Sequence, residues 1–426
     1  MDNGVYRMSM NFSPTRRDVM KGVAATAMTA ASYRRVAGAN SRIGVALIGV
    51  GRRGREVGAG LLGDPRAELL AICDIYDVQR TRAVAAFKTS DSVKQLVAHE
   101  EALALAGVDA VVIAAPDHLH ATLATAALAA RKHVYLEKPT IHKWQERTQI
   151  AEALQRSGTV LQCGTQQRSG AHYWRAKREI FETKRLGKVL YARCVWHNFP
   201  WQRREIPPGP KPASLDWERF LGPAPHIPYE AVRYDSWRYF PEYGAGLLAD
   251  ILTHWADVAQ WMLDDAAPES AVAQGGIYVL KDGRRNPDTT SALLEYRDWN
   301  LSFESSVLSV RNDRPSVLFE GTEGLLEISR AGYTFTPPSG PPETVNSTEN
   351  LERAHTKNFL DSIAGSAKPN ASFDVGISAT RPVQMALEAY RTGRRITAAE
   401  IDSLTSQEKV KSTGRLRSRF GTDVSC

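Results

Sequence analysis

The chain has 426 residues, more than one hydrophobic core usually organises, so we expect at least two domains. Hydrophobic residues make up 43% and charged residues 24%, which is typical of a globular protein, and no apolar run is long enough to span a membrane. The net charge is +7, but six Lys/Arg and two Asp precede residue 40, which leaves +3 for the rest. That remainder has no basic block interleaved with aromatic residues, so we expect no nucleic-acid partner.

The first 39 residues have the pattern of an export signal. Arg16 and Arg17 form a twin arginine, and Lys21 and a weakly apolar run of Ala, Val, Met and Thr follow. We therefore predict that residues 1–39 are a twin-arginine signal and arm, and that the protein is periplasmic or secreted. Cleavage after Ala31 and cleavage after Ala39 both fit the small residues there. A disordered basic N-terminus is the alternative interpretation.

A dinucleotide-binding motif comes next. The β-branched run 42–49 is followed by "GVGRRG", in which Gly49, Gly51 and Gly54 have G-x-G-x-x-G spacing, and then by a helix-like stretch. The first glycine allows a tight turn, the second lets a pyrophosphate approach the backbone, and the third lets helix and strand pack closely. Asp74 ends the next apolar run, where a carboxylate accepts hydrogen bonds from ribose hydroxyls and repels a 2′-phosphate. We therefore predict NAD as the cofactor, with NADP less favoured; a βαβ unit without a dinucleotide is the alternative.

Further buried strands alternate with helical stretches in the first part of the chain. Runs 109–116, 133–139 and 159–168 have this character, which predicts a doubly wound parallel sheet. "APDHLHA" and "EKP" lie at the ends of two of these strands, where ligands bind in such sheets. This position favours a functional role for Lys138 of "EKP" over that of an ordinary surface lysine.

The later part of the chain contains strand- and hairpin-like runs and two marked helices. One predicted helix covers 381–395, and the other is "GLLADILTHWADVAQWML", residues 246–263. The second helix carries an apolar face and a polar stripe of Asp250, His254 and Asp257. The stripe is either a solvated face or a site where a carboxylate supports an imidazole base. The strand-like runs are 189–199, 270–280, 289–308 and 316–330.

Taken in order, the glycine loop, "APDHLHA", "EKP" and the Asp-x-x-x-His helix resemble the Gfo/Idh/MocA family of oxidoreductases. The resemblance runs from about Ile43 to about Ile396. It implies an N-terminal Rossmann domain at 40–167 and an α/β domain with a large, mostly antiparallel sheet at 168–380. It also implies that the helix within 381–396 returns to the first domain. The polar, basic tail 397–426 continues past the usual end of the family and has no assigned role.

The resemblance also implies the site residues. Lys138, Asp250 and His254 would be the catalytic set, with His254 as base, Asp250 orienting its ring and Lys138 stabilising the substrate oxygen; Asp257 is expected to continue the stripe by solvation or packing. The four cysteines show neither metal spacing nor a disulfide framework, so no metal is expected. The substrate contacts expected are Arg168, Trp201, Trp237 and Tyr239. The cofactor contacts expected are Gly49, Gly51, Arg53, Gly54, Asp74, Pro116, Asp117, His120, Glu137, Lys138 and Gln166.

These features predict an exported, NAD-dependent oxidoreductase that transfers hydride between a sugar or polyol carbinol and tightly bound nicotinamide, and a homo-oligomer, either a dimer or a tetramer. Because no free NAD pool exists outside the cytoplasm, the cofactor is expected to stay bound and to be reset in place. An NAD-dependent glycosidase or lyase that works by transient oxidation and elimination is one alternative. A non-catalytic sugar-binding protein is the other.

Overall fold

The computed structural model describes residues 42–199, 205–309 and 315–404, and these residues form two β-sheets with helices packed around them. The first sheet is parallel and the second is mostly antiparallel, which confirms the predicted fold class. No helix within the described ranges is long and apolar enough to cross a membrane.

The first sheet has six strands in the order β3-β2-β1-β4-β5-β6. The central strands are buried almost throughout, because helices cover both faces of a parallel sheet. The order reverses between β1 and β4, and a crevice for ligands opens at such a point. The strands are β1 (Ile43–Ile48), β2 (Ala67–Cys73), β3 (Lys94–Leu96), β4 (Ala110–Ile113), β5 (His133–Leu136) and β6 (Leu161–Cys163).

Alternate residues of β1 pack into two different hydrophobic cores. Val45 and Leu47 face one core, whereas Ala46 and Ile48 face the other. The amphipathic helices that supply these cores hold the ends of the strands in fixed positions. The helices of this part are α1 (Arg52–Leu62), α2 (Asp77–Phe87), α3 (His99–Ala104), α4 (His120–Ala129) and α5 (Glu146–Ser157).

The second sheet has nine strands in the order β14-β13-β12-β11-β7-β10-β9-β8-β15. Only β7 and β10 pair in parallel within it. Exposed and buried residues alternate along β9, so one face of the sheet packs on the core and the other is open. The strands are β7 (Val189–His197), β8 (Ser270–Gly276), β9 (Thr289–Glu295), β10 (Asn300–Ser306), β11 (Ser316–Gly321), β12 (Gly324–Ser329), β13 (Gly332–Thr336), β14 (Glu343–Asn346) and β15 (Ile396–Thr397).

The predicted helix 246–263 is present, but its first turn is wider than an α-helix. Leu248–Leu252 form a π-helical turn that leads into the α-helix Thr253–Leu263. Nearly every residue of this α-helix is buried, so the polar stripe is not a solvated face. The helices of the second part are α6 (Ala171–Ala176), α7 (Trp217–Leu221), α8 (Ala231–Asp235), α9 (Thr253–Leu263), α10 (Leu351–Ile363), α11 (Phe373–Thr392) and α12 (Ala398–Ser403).

Helix α11 connects the two sheets. It starts eight residues before the predicted helix, at Phe373, because the Ser372 side chain caps it by accepting a hydrogen bond from the Val375 N–H. Pro382 therefore lies inside the helix and does not begin it. Packed against β8, α9 and β6, the helix touches elements of both sheets.

Part of the tail that had no assigned role belongs to the fold. Strand β15 adds to the edge of β8, and α12 follows it directly. A capping box between Thr397 and Glu400 fixes the start of α12. Residues 405–426 lie outside the described residues.

Candidate active site

A cavity of about 930 Å³ opens at the carboxyl ends of β1, β4 and β5. Its first wall comes from the glycine loop and the strand ends of the parallel sheet. Its second wall comes from β7, the turn after β12 and the start of α9, which contribute Trp196, Arg330 and His254. The cavity therefore joins the predicted cofactor side to the predicted substrate side.

The glycine loop has the shape that its spacing predicts. Gly49 has a φ of +81°, and a Cβ there would lie 2.8 Å from the Ala114 carbonyl oxygen. A Cβ on Gly54 would lie 1.9 Å from the Gly49 carbonyl oxygen, so this position holds strand and helix in close contact. A Cβ on Gly51 would meet no atom within 4 Å, and Gly51 lines the cavity at the start of α1. This open space in front of free helix N–H groups fits a pyrophosphate.

Asp74 lies at the end of β2 and lines the same cavity. Its carboxylate accepts hydrogen bonds from the backbone N–H of Val50 at 2.9 Å and of Tyr76 at 3.0 Å. Burial raises the pKa of Asp74 to about 6, although the two backbone donors oppose that shift. Each oxygen retains a second lone pair, so the residue can still accept hydrogen bonds from ribose hydroxyls.

The strand ends of β4 and β5 are linked by His120. Its two ring nitrogens lie 2.7 Å from the Pro139 carbonyl oxygen and 3.0 Å from the Ala115 carbonyl oxygen. Pro116 and Asp117 line the cavity beside it, and burial raises the pKa of Asp117 to about 7. His120 therefore positions the turn that carries Lys138.

Arg53 and Glu137, both expected to touch the cofactor, contact each other. The Arg53 guanidinium lies 2.6 Å from Glu137 Oε1 and 2.6 Å from Glu352 Oε2. Burial opposes ionisation of Glu137, but the Arg53 charge outweighs it and lowers the pKa of this carboxyl. The two residues line the cavity and also lock α1 to the end of β5 and to α10.

The structure brings Lys138 and Asp250 together. Lys138 Nζ donates to Asp250 Oδ1 at 2.6 Å and to the Asp250 carbonyl oxygen at 2.9 Å. On the other side, Arg238 Nε lies 3.3 Å from Asp250 Oδ2. Burial raises the pKa of Asp250, but Arg238 and Lys138 outweigh it and hold the pKa far below the usual range. Asp250 is therefore ionised and bound to two cations.

The expected role of Asp250 in orienting His254 is not what the structure shows. No hydrogen bond joins these two described residues, and His254 Nδ1 is buried without a partner. Asp250 lies in the π-helical turn, whose i→i+5 hydrogen bonding removes the four-residue stacking of an α-helix. A full cation on Lys138 also attracts the carboxylate more strongly than a neutral imidazole does.

His254 nevertheless lies at the cavity, where Nε2 retains access to it. Its ring centroid is 6.3 Å from that of Trp196. Burial, followed by the charges of Lys138 and Arg330, lowers the pKa of His254 well below its ordinary value. The imidazole is therefore neutral and able to accept a proton.

Asp257 and Arg168 form a buried pair away from the cavity wall. Arg168 Nε donates to both Asp257 oxygens, at 2.8 and 3.0 Å, and its guanidinium stacks 5.3 Å from the Trp261 ring. Asp257 is fully buried, so it does not continue a solvated stripe. Arg168, predicted to contact substrate, lies instead in this pair on α9 and does not line the cavity.

The aromatic residues expected at the substrate divide into three cases. Trp237 lines the cavity, and Arg238 lies 4.1 Å above its ring. Tyr239, also predicted to contact substrate, is only 2% exposed, packs under Arg284 and does not line the cavity. Trp201 lies outside the described residues.

The remaining expected cofactor residue, Gln166, also lines the cavity. It begins the turn after β6, and its side-chain oxygen is buried without a hydrogen-bond partner. An amide oxygen in this state can accept a hydrogen bond from a bound ligand.

Sequence reasoning missed Trp196, Arg238 and Arg330. Trp196 is near the end of β7, and Arg330 follows β12, so both looked like ordinary residues of strands. Only the pairing of these strands beside α9 brings them to the cavity. Among the described residues, no cluster of His, Cys, Asp and Glu could hold a metal ion.

Comparison with known proteins gives matches over most of the chain. Residues 43–165 match the sequence model described as an oxidoreductase family with an NAD-binding Rossmann fold, and residues 174–327 match the GFO/IDH/MocA C-terminal domain.

Among curated proteins, the chain is 24% identical to a 1,5-anhydro-D-fructose reductase of Ensifer adhaerens, over 75% of this chain and 88% of the relative. It is 34% identical to inositol 2-dehydrogenase 1 of Saccharopolyspora erythraea, over 37% of this chain and 46% of the relative. Among solved structures, a levoglucosan dehydrogenase in complex with NADH and levoglucosan aligns with a TM-score of 0.66 at 18% identity. That alignment covers 84% of this chain and 99% of the other.

Proposed function

We propose, from the premise that this chain belongs to the Gfo/Idh/MocA family of NAD-binding oxidoreductases, that it transfers hydride between a sugar or polyol carbinol and nicotinamide. The proposal rests on one observation: a neutral imidazole and a lysine ammonium line the same cavity as the glycine loop. NAD supplies the hydride acceptor or donor when bound. Gly51, Asp74 and Gln166, which line the cavity, would hold it.

The protein's own residues divide the remaining chemistry. A lysine ammonium has three N–H donors, and Asp250 accepts two of those of Lys138, so one donor remains for the substrate oxygen. His254 accepts the hydroxyl proton as hydride leaves the carbon, and Lys138 stabilises the negative charge that develops on the oxygen. Asp250 holds the ammonium in place and does not touch the imidazole.

The sugar or polyol substrate is supported by two features. Trp196 and Trp237 offer aromatic surface beside polar groups, an arrangement suited to a ring with hydroxyl groups. The two relatives are a reductase of an anhydro sugar and a dehydrogenase of inositol. Their substrates are therefore a sugar and a polyol.

The test of the base is single-turnover reduction of protein-bound NAD by the substrate. Because a positioned base contributes about 10²- to 10⁴-fold, His254→Ala should slow the step by that factor while NAD stays bound. Near wild-type rates in this variant would leave the protein without its proposed base. Release of a chromogenic aglycone without net NADH would favour the glycosidase or lyase alternative, and binding without either reaction would favour a sugar-binding protein.

We further propose that the twin arginine directs export of the folded protein with NAD already bound. This proposal rests on the sequence pattern of Arg16 and Arg17, which lie outside the described residues. The purified protein should then retain NAD or NADH, which its ultraviolet spectrum and native mass would detect. Arg16→Lys together with Arg17→Lys should leave the protein in the cytoplasm, and normal accumulation outside it would overturn the proposal.

Finally, we propose that the open face of the second sheet binds a second copy of this chain. Four large apolar side chains on this face are between 41% and 48% exposed: Tyr191, Val272, Leu293 and Leu325. Val272 and Leu293 are direct partners across β8 and β9, so the apolar surface is continuous there. A self-complementary patch of this kind suits a twofold dimer.

A further inference from the structure

Arg330 is a cation on the substrate side of the cavity, and its charge acts on the proposed base, His254. Arg330 follows β12 and lines the cavity. Its guanidinium carbon lies 5.1 Å from the centre of the Trp196 ring, and the centroid of the His254 ring lies 6.3 Å from that of the same Trp196 ring. Arg330, Trp196 and His254 therefore form one wall on the substrate side.

Arg330 has no carboxylate partner among the residues that the structure describes. Its Nε–H is buried and donates to no hydrogen-bond partner, whereas Arg53, Arg168 and Arg238 each pair with a carboxylate. Glu137 and Glu352, the carboxylates whose charges act on Arg330, are both paired with Arg53. Burial lowers the pKa of Arg330, as expected for a cation without compensation.

The Arg330 side chain is partly buried, and its buried Nε–H without a partner costs the folded state free energy. Arginine side chains are seldom buried unless they are paired. The terminal nitrogens, which are not among the buried unpartnered atoms, remain accessible from the cavity. Trp196 covers one face of the guanidinium, so its N–H edge is left for the ligand.

We propose that Arg330 binds a carboxylate of the substrate, which makes an acidic sugar or polyol, such as a uronic or aldonic acid, the substrate class of this site. This rests on the proposed function and adds the substrate's charge to it. The planar guanidinium fork matches two carboxylate oxygens, and one bound carboxylate neutralises one cation. A phosphate ester would bring a second negative charge, but the other cations on the substrate side, Lys138 and Arg238, already share the Asp250 carboxylate.

The test compares acidic sugars with their neutral counterparts on the NAD-loaded protein. The probes are D-glucuronate, D-galacturonate and D-gluconate, matched with D-glucose, D-galactose and D-glucitol, and D-glucose 6-phosphate is added. Binding is measured by calorimetry and hydride transfer by NADH absorbance. We expect at least one acid to bind more than about tenfold more tightly than its neutral partner, as a charge-assisted hydrogen bond allows.

Arg330→Gln should remove that preference, weakening the acid by about tenfold or more while the neutral partner and NAD retention change less than a few-fold. Arg330→Lys should restore part of the acid binding, because it keeps the charge and loses the fork. Arg175→Gln, on α6 in an exposed pair with Glu179, is the control and should change nothing. The melting temperature of Arg330→Gln should be no lower than that of the wild type, since no native ion pair is lost and an unpartnered buried donor is removed.

Three results would overturn the proposal. These are equal binding of acids and neutral sugars by the wild type, equal loss of both in Arg330→Gln, and loss of NAD in Arg330→Gln. Tighter binding of the phosphate ester than of every acid would also overturn the carboxylate assignment. If an acid binds through Arg330 but reduces no NAD, the proposed hydride transfer fails while the carboxylate site stands.

Discussion

At the scale of single residues, the two possible partners of Asp250 predict different effects of its mutation. The structure pairs Asp250 with Lys138 and not with an imidazole. Asp250 fixes Lys138 through two hydrogen bonds. Asp250→Asn should therefore reduce single-turnover hydride transfer about as much as Lys138→Met, by roughly 10²- to 10³-fold, as for loss of an oxyanion donor. Both variants should retain NAD. If Asp250→Asn is near wild type while Lys138→Met is not, Asp250 does not position the lysine.

The Asp257–Arg168 pair predicts a change in stability and not in chemistry. Asp257→Asn would leave the Arg168 guanidinium buried without its carboxylate, which costs about 3–5 kcal/mol of unfolding free energy. Urea unfolding measures this cost. The exposed pair of Lys188 with Asp298 is the control, because Asp298→Asn should cost less than about 1 kcal/mol. A small loss in Asp257→Asn would mean that the pair does not hold α9.

At the scale of elements, the turn between β1 and α1 separates folding from cofactor binding. A Cβ at position 54 would collide with the Gly49 carbonyl, whereas one at position 51 would stand in open space at the cavity. Gly54→Ala should lower the melting temperature. Gly51→Ala should leave that temperature unchanged and weaken NAD by roughly tenfold, because the methyl group occupies the approach of the pyrophosphate. Unchanged NAD affinity in Gly51→Ala would place the pyrophosphate elsewhere.

Some of the elements around the site can be predicted from the sequence, and others cannot. Buried β-branched runs and the glycine spacing predict β1, β2, β4 and β5 and therefore the cofactor wall, because these signals are local. No local sequence pattern marks the π-helical turn at Leu248–Leu252. The sequence therefore predicts a continuous α-helix, in which Asp250 and His254 would lie one turn apart on the same face. The predicted helix 381–395 begins later than α11 for a similar reason. A proline such as Pro382 is more typical of the start of a helix than of its interior.

The position of Arg330 depends on contacts between distant segments. Strand pairing across β7, β11 and β12 brings it to Trp196, 134 residues earlier in the chain, and no spacing in the sequence encodes that pairing. Burial also changes how Asp257 is interpreted. A polar stripe on a helix indicates a solvent-exposed face only when no other element packs against that stripe. Residues that act through long-range packing are thus the ones that sequence patterns miss.

At the scale of the whole molecule, the open sheet face predicts the assembly state. Leu293→Lys together with Val272→Lys would place two charges side by side in the proposed interface, where their desolvation opposes association. Light scattering after size exclusion should show a smaller species for this variant than for the wild type. Because neither residue lines the cavity, NAD retention should persist.

The control for this experiment places a new charge on a surface that is not part of the sheet. Ala130, exposed just after α4, is suitable, and Ala130→Lys should leave the assembly intact. If the wild type is a monomer at micromolar concentration, the apolar face needs another partner. If both variants dissociate equally, added charge alone is responsible, and the interface does not lie on β8 and β9.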